Sequence, residues 1–365
     1  MREYSVPAVS TESALNNLAQ PIWDNAETAP HAMAVRLTDG DTIRDVSAQQ
    51  LRDEVTAAAK GLIAHGLQPG QRVAILSRTR YEWTLLDYAI WATGAVTVPI
   101  YPTSSAEQTR WILNDSAAVV CIVEEPDQLT MLRRLLPELA HLRRVWFIEG
   151  GGQNEVIKAP NIDATIAPLA ELTQAGSEVA DAEVLRRRTA LELDDLATII
   201  YTSGTTGLPK GCRVLHRNFV FGISNGMTLL TNEFSRQSST LLYLPLAHVL
   251  AREIQCGAIM TGTTISYTPD TCNLLDDLQR FKPTTLLAIP RVLERLFNGA
   301  QQKATAAKKG RIFEAAVDTA IAYSAARDSG KVSLGLRLRH SAFDVLVYRK
   351  LRAALGGRCT ATISG

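Results

Sequence analysis

The chain has 365 residues, 46% of them hydrophobic and 21% charged, which excludes a disordered polypeptide and suits two or three structural units. The 38 Lys and Arg residues nearly balance the 37 Asp and Glu residues, so no global basic field points to nucleic acid and any anion site must be local. Its five cysteines are scattered without CxxC spacing, which argues against a zinc site or a disulfide framework and fits a reducing cytosol.

Met1-Arg2-Glu3-Tyr4 lacks the apolar core of a signal peptide. Ser47 can cap a helix whose apolar positions Leu51, Val55, Ala58, Leu62 and Ile63 recur at helical spacing. Gly66 and Pro69-Gly70 end it, and Val73-Ala74-Ile75-Leu76 follows as a buried strand. The apolar stretch from Trp83 to Ile100 approaches the length of a membrane span, but Asp87, Gly94 and Pro99 divide it into a buried helix and a buried strand. A helix from Ser105 to Asn114 leads to the strand Ala118–Val123, and one around Leu129–Leu136 leads to Val145–Ile148. Short apolar strands alternating with amphipathic helices indicate a sheet covered on both faces.

Residues 151–190, rich in small and charged side chains after Gly150, read as a surface connection. Alternation then resumes with the strand Leu196–Tyr201, a Gly/Thr-rich loop and a helix around Asn218–Leu229. Further strands are expected at Leu241–Leu244, Thr263–Tyr267 and Thr284–Ile289. From Gln301 to Leu355 the residues favour helix, broken at Ser329-Gly330, with many Lys and Arg. Amphipathic helices packed on the sheet are the leading reading of that tail, and a peripheral membrane contact is the alternative. The expectation is thus α/β, two successive α/β sheet units at 1–150 and 191–365 joined by 151–190.

The segment that carries chemistry is Tyr201-Thr202-Ser203-Gly204-Thr205-Thr206-Gly207-Leu208-Pro209-Lys210-Gly211. Gripping a triphosphate requires unobstructed backbone N–H groups, hydroxyl donors and a cation. Three glycines, four hydroxyls and one lysine stand here directly after an apolar strand. A flexible linker with an incidental lysine would need neither that strand nor the Pro-Lys-Gly that follows. Leu208 and Pro209 separate Gly207 from Lys210, so this is not a Walker A loop, and no GxGxxG run opens a helix after the strand.

Thr202 to Gly211 resembles the phosphate-loop signature of the adenylate-forming superfamily, which includes acyl-CoA synthetases, firefly-type luciferases and peptide-synthetase adenylation domains. The resemblance implies the N-terminal domain fold of that superfamily, incomplete at its C-terminus. It also implies that Thr202, Ser203, Gly204, Thr205, Thr206, Gly207 and Lys210 contact ATP, with Thr202 a ligand of Mg²⁺. A carboxylate would attack the ATP α-phosphate, giving an acyl-adenylate and diphosphate, and a thiol would displace AMP.

Leu244-Pro245-Leu246-Ala247-His248 resembles the superfamily motif that lines the acyl pocket, in the variant of the long-chain fatty acid branch. His248 and Arg252, four residues apart, would share one helical face and are the expected substrate-binding residues. Ala288-Ile289-Pro290-Arg291-Val292-Leu293-Glu294 and the helical tail also resemble that branch. Val98-Pro99-Ile100-Tyr101-Pro102-Thr103-Ser104-Ser105 looks like another superfamily signature, with an expected structural role.

The resemblance implies a cytoplasmic long-chain fatty acid–CoA ligase acting on long-chain fatty acid, ATP and CoA. A fatty acyl-AMP ligase serving a carrier protein and a short nucleotide-binding protein without turnover are the alternatives. Superfamily members continue beyond Gly365 with a Glu that helps bind Mg²⁺, an Asp that holds the ribose and a small domain carrying the catalytic lysine. No catalytic residue is therefore expected within this chain, and the isolated polypeptide is expected to be inactive and marginally soluble.

Overall fold

A computed structural model describes residues 7–9, 15–40, 42–149, 155–159, 162–202 and 208–364. Two compact units divide the chain: Met1–Gln237 with Leu242–Asp270, and Ser238–Leu241 with Thr271–Gly365.

The first unit opens with an antiparallel pair, β1 (Met33–Asp39) and β2 (Thr42–Ser47). Ser47 then starts the helix Ala48–Ala64 through a reciprocal capping box with Gln50, as its sequence position suggested. Leu51, Val55, Ala58 and Leu62 of that helix are buried. Next come β3 (Arg72–Leu76), β4 (Val96–Ile100), β5 (Ala118–Val123), β6 (Arg144–Phe147), β7 (Glu155–Ala159), β8 (Ile162–Pro168), β9 (Leu196–Thr202) and β10 (Lys210–Leu215). These eight form one sheet in the order β10-β9-β4-β3-β5-β6-β8-β7. Pairings are parallel except at the two edges, where β10 lies antiparallel to β9 and β7 antiparallel to β8.

Every residue of β4 is buried, and apart from Thr97 all of them are apolar. Before it, the helix Tyr81–Ala92 buries Trp83, Leu86, Tyr88, Ile90 and Trp91. Gly94, at φ +78°, makes the turn between them, dividing the stretch where the sequence suggested. Among the described residues no helix is long and apolar enough to cross a membrane.

The boundary expected at 151–190 is corrected by this sheet. β8 pairs in parallel with β6 through Arg144↔Thr165 and Val145↔Ile166, and Ala164 and Ile166 are buried. The strand escapes a sequence reading because Asp163, Thr165 and Pro168 interrupt its buried Ala164, Ile166 and Ala167. The chain then crosses back through the helix Asp181–Thr189, and β9 enters the same sheet beside β4. Residues 155–159 and 162–168 thus belong to this sheet rather than to a surface connection, and the strands of residues 239–287 belong to a second sheet.

In the second unit the strands Thr285–Leu287 and Ala361–Ile363 pair in parallel. The helices Pro290–Ala306, Gly310–Asp328, Leu334–Phe343 and Arg349–Ala354 fill the tail that the sequence marked as helical. Ring contacts between Phe297 and Phe313 (5.4 Å) and between Tyr323 and His340 (3.9 Å) join successive helices. Gly330, at φ +70°, breaks them at the expected place.

Candidate functional site

β4 and β9 are parallel neighbours, in register at Thr97↔Thr198, so their carboxyl ends emerge side by side. Loops leaving the carboxyl ends of parallel strands are where α/β sheets hold ligands. A cavity of about 390 Å³ lies there, lined by Tyr101, Thr103 and Ser104 after β4, by Thr202 at the end of β9 and by His248, among others.

Each wall has a local cause. Ser105 caps the helix Ala106–Asp115 through a reciprocal box with Gln108. Ser104, Gln108 and Ile112, spaced one turn apart, therefore line the cavity from one side. Burial raises the Tyr101 pKa above the ordinary phenol value, so its hydroxyl keeps its proton. On the opposite side, His248 ends a turn closed by its N–H donating to the Pro245 carbonyl at 2.9 Å. It caps the helix Val249–Thr261, with Leu250 N–H donating to Nδ1 at 3.3 Å. That bond places the proton of a neutral imidazole on Nε2.

The Gly/Thr-rich loop joins β9 to β10. Lys210 stands directly opposite Thr202 in the antiparallel register, so both side chains project from the same face of the hairpin. Both are exposed. Two tethers hold the loop's limbs. The Tyr201 hydroxyl donates to Asp115 at 2.6 Å, and the Trp111 indole N–H donates to the Pro209 carbonyl at 2.8 Å. Burial, reinforced by the Asp115 carboxylate, raises the Tyr201 pKa and keeps it a donor. Gly211 is required opposite Tyr201: a Cβ there would stand 2.8 Å from Ile199 Cγ2 and 3.1 Å from the Tyr201 ring.

Among the expected nucleotide contacts, Thr202 lies on the cavity and Lys210 beside it. Ser203, Gly204, Thr205, Thr206 and Gly207 lie outside the described residues. The exposed Thr202 hydroxyl suits Mg²⁺, which takes one or two protein oxygens and draws its remaining ligands from phosphates and water. Among the described residues no group of three His, Cys, Asp or Glu side chains is placed to hold a metal without such help.

His248 lines the cavity, but Arg252 does not share its exposure. Arg252 is wholly buried, forked onto Asp87 by Nε (3.0 Å) and Nη2, with Nη1 donating to Thr198 Oγ1 at 2.7 Å. The expected substrate contact by Arg252 is thus replaced by an interior role, because the helix starts at Val249 and its first turn carries position 252 inward. Sequence reading also missed Tyr101, Thr103, Ser104 and Gln108 as cavity residues. Their signal was present in the hydroxyl-rich run after β4, to which a structural role was assigned. Strand β10 was missed as well, since Lys210–Leu215 is exposed or half-buried along its length.

The family model described as AMP-binding enzyme matches residues 22–359. The long-chain-fatty-acid–CoA ligase FadD15 of Mycobacterium bovis is 46% identical over all of this chain, and the chain spans 59% of that protein's length. Among solved structures, the A-PCP didomain of carboxylic acid reductase from Segniliparus rugosus in complex with AMP superposes with a TM-score of 0.71 at 20% identity. That match covers 97% of this chain and 50% of the other. The long-chain-fatty-acid–CoA ligase FadD1 from Archaeoglobus fulgidus gives 0.66 at 21% identity, covering 82% and 56%. At such identities these structures establish the fold.

Proposed function

The chain belongs to the family of AMP-binding enzymes, and we propose from that membership that it carries the ATP- and acyl-binding part of a long-chain fatty acid–CoA ligase. One juxtaposition supports the reading most: the hydroxyl-rich end of β4, Thr202 and His248 converge on one cavity, with Lys210 alongside Thr202. Its volume of about 390 Å³ falls in the range of roughly 300–1,000 Å³ usual for small-molecule sites. The identity of 46% with a long-chain ligase across the whole chain favours a fatty acid as the acyl substrate.

In this proposal Thr202, Lys210 and the loop residues Ser203, Gly204, Thr205, Thr206 and Gly207 bind the ATP phosphates, and His248 borders the acyl group. Mg²⁺, held with the help of Thr202, would neutralise phosphate charge. The fatty acid carboxylate oxygen attacks the α-phosphorus, the bond to the bridging oxygen breaks and diphosphate leaves. The CoA thiolate then attacks the acyl carbon and AMP departs. This chain's residues contribute by holding two anions together while fixed donors offset the charge that develops on phosphate. The reaction is assigned to the cytoplasm, a setting that suits a chain whose buried Cys121 and Cys256 remain thiols.

Calorimetric titration of the chain with Mg-ATP tests the nucleotide site: saturable binding lost in Lys210→Ala supports it, and heat without saturation overturns it. Fatty-acid-dependent exchange of label between ATP and diphosphate, measured on the native protein from its source, tests the reaction. Exchange stimulated by acetate or benzoate but not by a long-chain acid would reject the substrate assignment.

A further inference from the structure

Asp87 is wholly buried on the helix Tyr81–Ala92; two other elements meet on its carboxylate and a third joins through Arg252. From β4, the Thr97 hydroxyl donates to Oδ1 at 2.7 Å. From the helix Val249–Thr261 come the Arg252 fork and, at 3.3 Å, the Gln255 amide. β9 joins through Thr198, whose hydroxyl accepts from Arg252 at 2.7 Å and donates to the Thr97 carbonyl at 2.7 Å. The guanidinium is enclosed by the rings of Trp83, Trp91 and Phe219, with centroids 5.2, 5.2 and 5.7 Å away. Each tied residue stands four positions from a cavity residue in sequence: Thr97 before Tyr101, Thr198 before Thr202, Arg252 after His248.

Stability alone does not call for such a cluster, because well-packed apolar side chains of similar volume generally match a buried ion pair. A forked Asp–Arg pair differs from apolar packing in accepting one mutual orientation. We infer that Asp87 and Arg252 are positioning residues that lock the carboxyl ends of β4 and β9 and the His248 cap in a single register, so that the cavity is formed before any ligand arrives. The consequence for ligand affinity rests on the nucleotide reading of the site; the register itself does not.

The test is hydrogen exchange, read by mass spectrometry on the intact chain, in a variant that removes both charges, Asp87→Leu with Arg252→Met. The melting temperature is expected to hold or rise. Amide exchange at 101–108 and 245–252 should nevertheless accelerate about tenfold or more, while the remote helix Pro126–Leu135 stays unchanged. In the same variant Mg-ATP should bind about tenfold more weakly, since a loosened site is only fractionally competent. Unchanged exchange at both segments, or a uniform acceleration with a lowered melting temperature, would overturn the inference. If the double variant does not fold, Thr198→Val decides: it keeps the ion pair, cuts its link to β9, and must also accelerate exchange at 245–252. A wild-type chain that binds no Mg-ATP would defeat the nucleotide reading and leave the exchange result to judge the register.

Discussion

Thr202 and Lys210 are direct cross-strand partners at the mouth of the β9–β10 hairpin, so the hydroxyl and the ammonium leave the sheet on the same face. The lysine is exposed, and among the described residues its ammonium enters no ion pair. Lys210→Ala should therefore leave the unfolding free energy within about 0.5 kcal/mol of the parent. Mg-ATP affinity should fall ten- to a hundredfold, as expected for loss of a charged hydrogen bond worth about 1.5–3 kcal/mol. Calorimetry beside a urea titration reads both, and undiminished affinity would remove Lys210 from the site.

The Trp111 indole N–H holds the Pro209 carbonyl and with it the limb of the loop that leads into Lys210. Trp111→Phe keeps most of the ring packing and deletes that bond. A stability loss of about 1 kcal/mol is expected. Weaker nucleotide binding should accompany it, together with faster amide exchange at 208–211. A variant that lost stability but bound Mg-ATP as before would show that the tether serves the hairpin alone.

Gly211 has no room for a methyl group, with Ile199 Cγ2 2.8 Å from the position a Cβ would take. Gly211→Ala should cost about 1–3 kcal/mol, the usual penalty for overpacking. The expected signature is a lower urea midpoint at unchanged slope.

His216 gives the chain an acid-sensitive element. Its Nδ1 accepts the Leu18 N–H at 3.2 Å, Nε2 is buried without a partner among the described residues, and the ring lies edge-on to Trp91. Burial, opposed by Asp195 and aided by the charge of Arg252, pushes its pKa from 6.5 to about 4. Between those values the unfolded chain binds a proton that the folded chain refuses. The stability supplied by neutral His216 is complete above pH 6.5 and is lost as the pH falls to about 4. That loss is worth roughly 3 kcal/mol. In His216→Phe the difference between unfolding midpoints at pH 7 and pH 4.5 should shrink, followed by the fluorescence of the first unit. An undiminished difference would assign the acid sensitivity to other groups.

Helix starts were legible in the sequence wherever a short polar side chain does the capping, as at Ser47 and Ser105, because a capping box is local chemistry within four residues. Buried parallel strands such as β5 were legible for a similar reason, since burial on both faces leaves a near-continuous apolar run. The loop after β9 stood out by the density of its glycines and hydroxyls. Strands β8 and β10 did not, since pairing with β6 and β9 rather than side-chain pattern makes them strands. For that reason part of the expected surface connection at 151–190 proved to be sheet.

The same division runs through the site. Sequence by itself determined that a loop dense in glycine and hydroxyl residues follows β9 and that a His stands at 248, because residue type and spacing are local properties. Only the tertiary structure decided that the run after β4 shares their cavity, since β4 and β9 lie some hundred residues apart and meet through a parallel pairing that neither strand encodes alone. It likewise decided between His248 and Arg252. Spacing made them equivalent, and the structure separated them: one caps the helix at the surface, while the other finds Asp87, 165 residues earlier, as its interior counter-charge. A charge as deeply buried as Arg252 requires such a partner, and which carboxylate supplies it is a property of the packing.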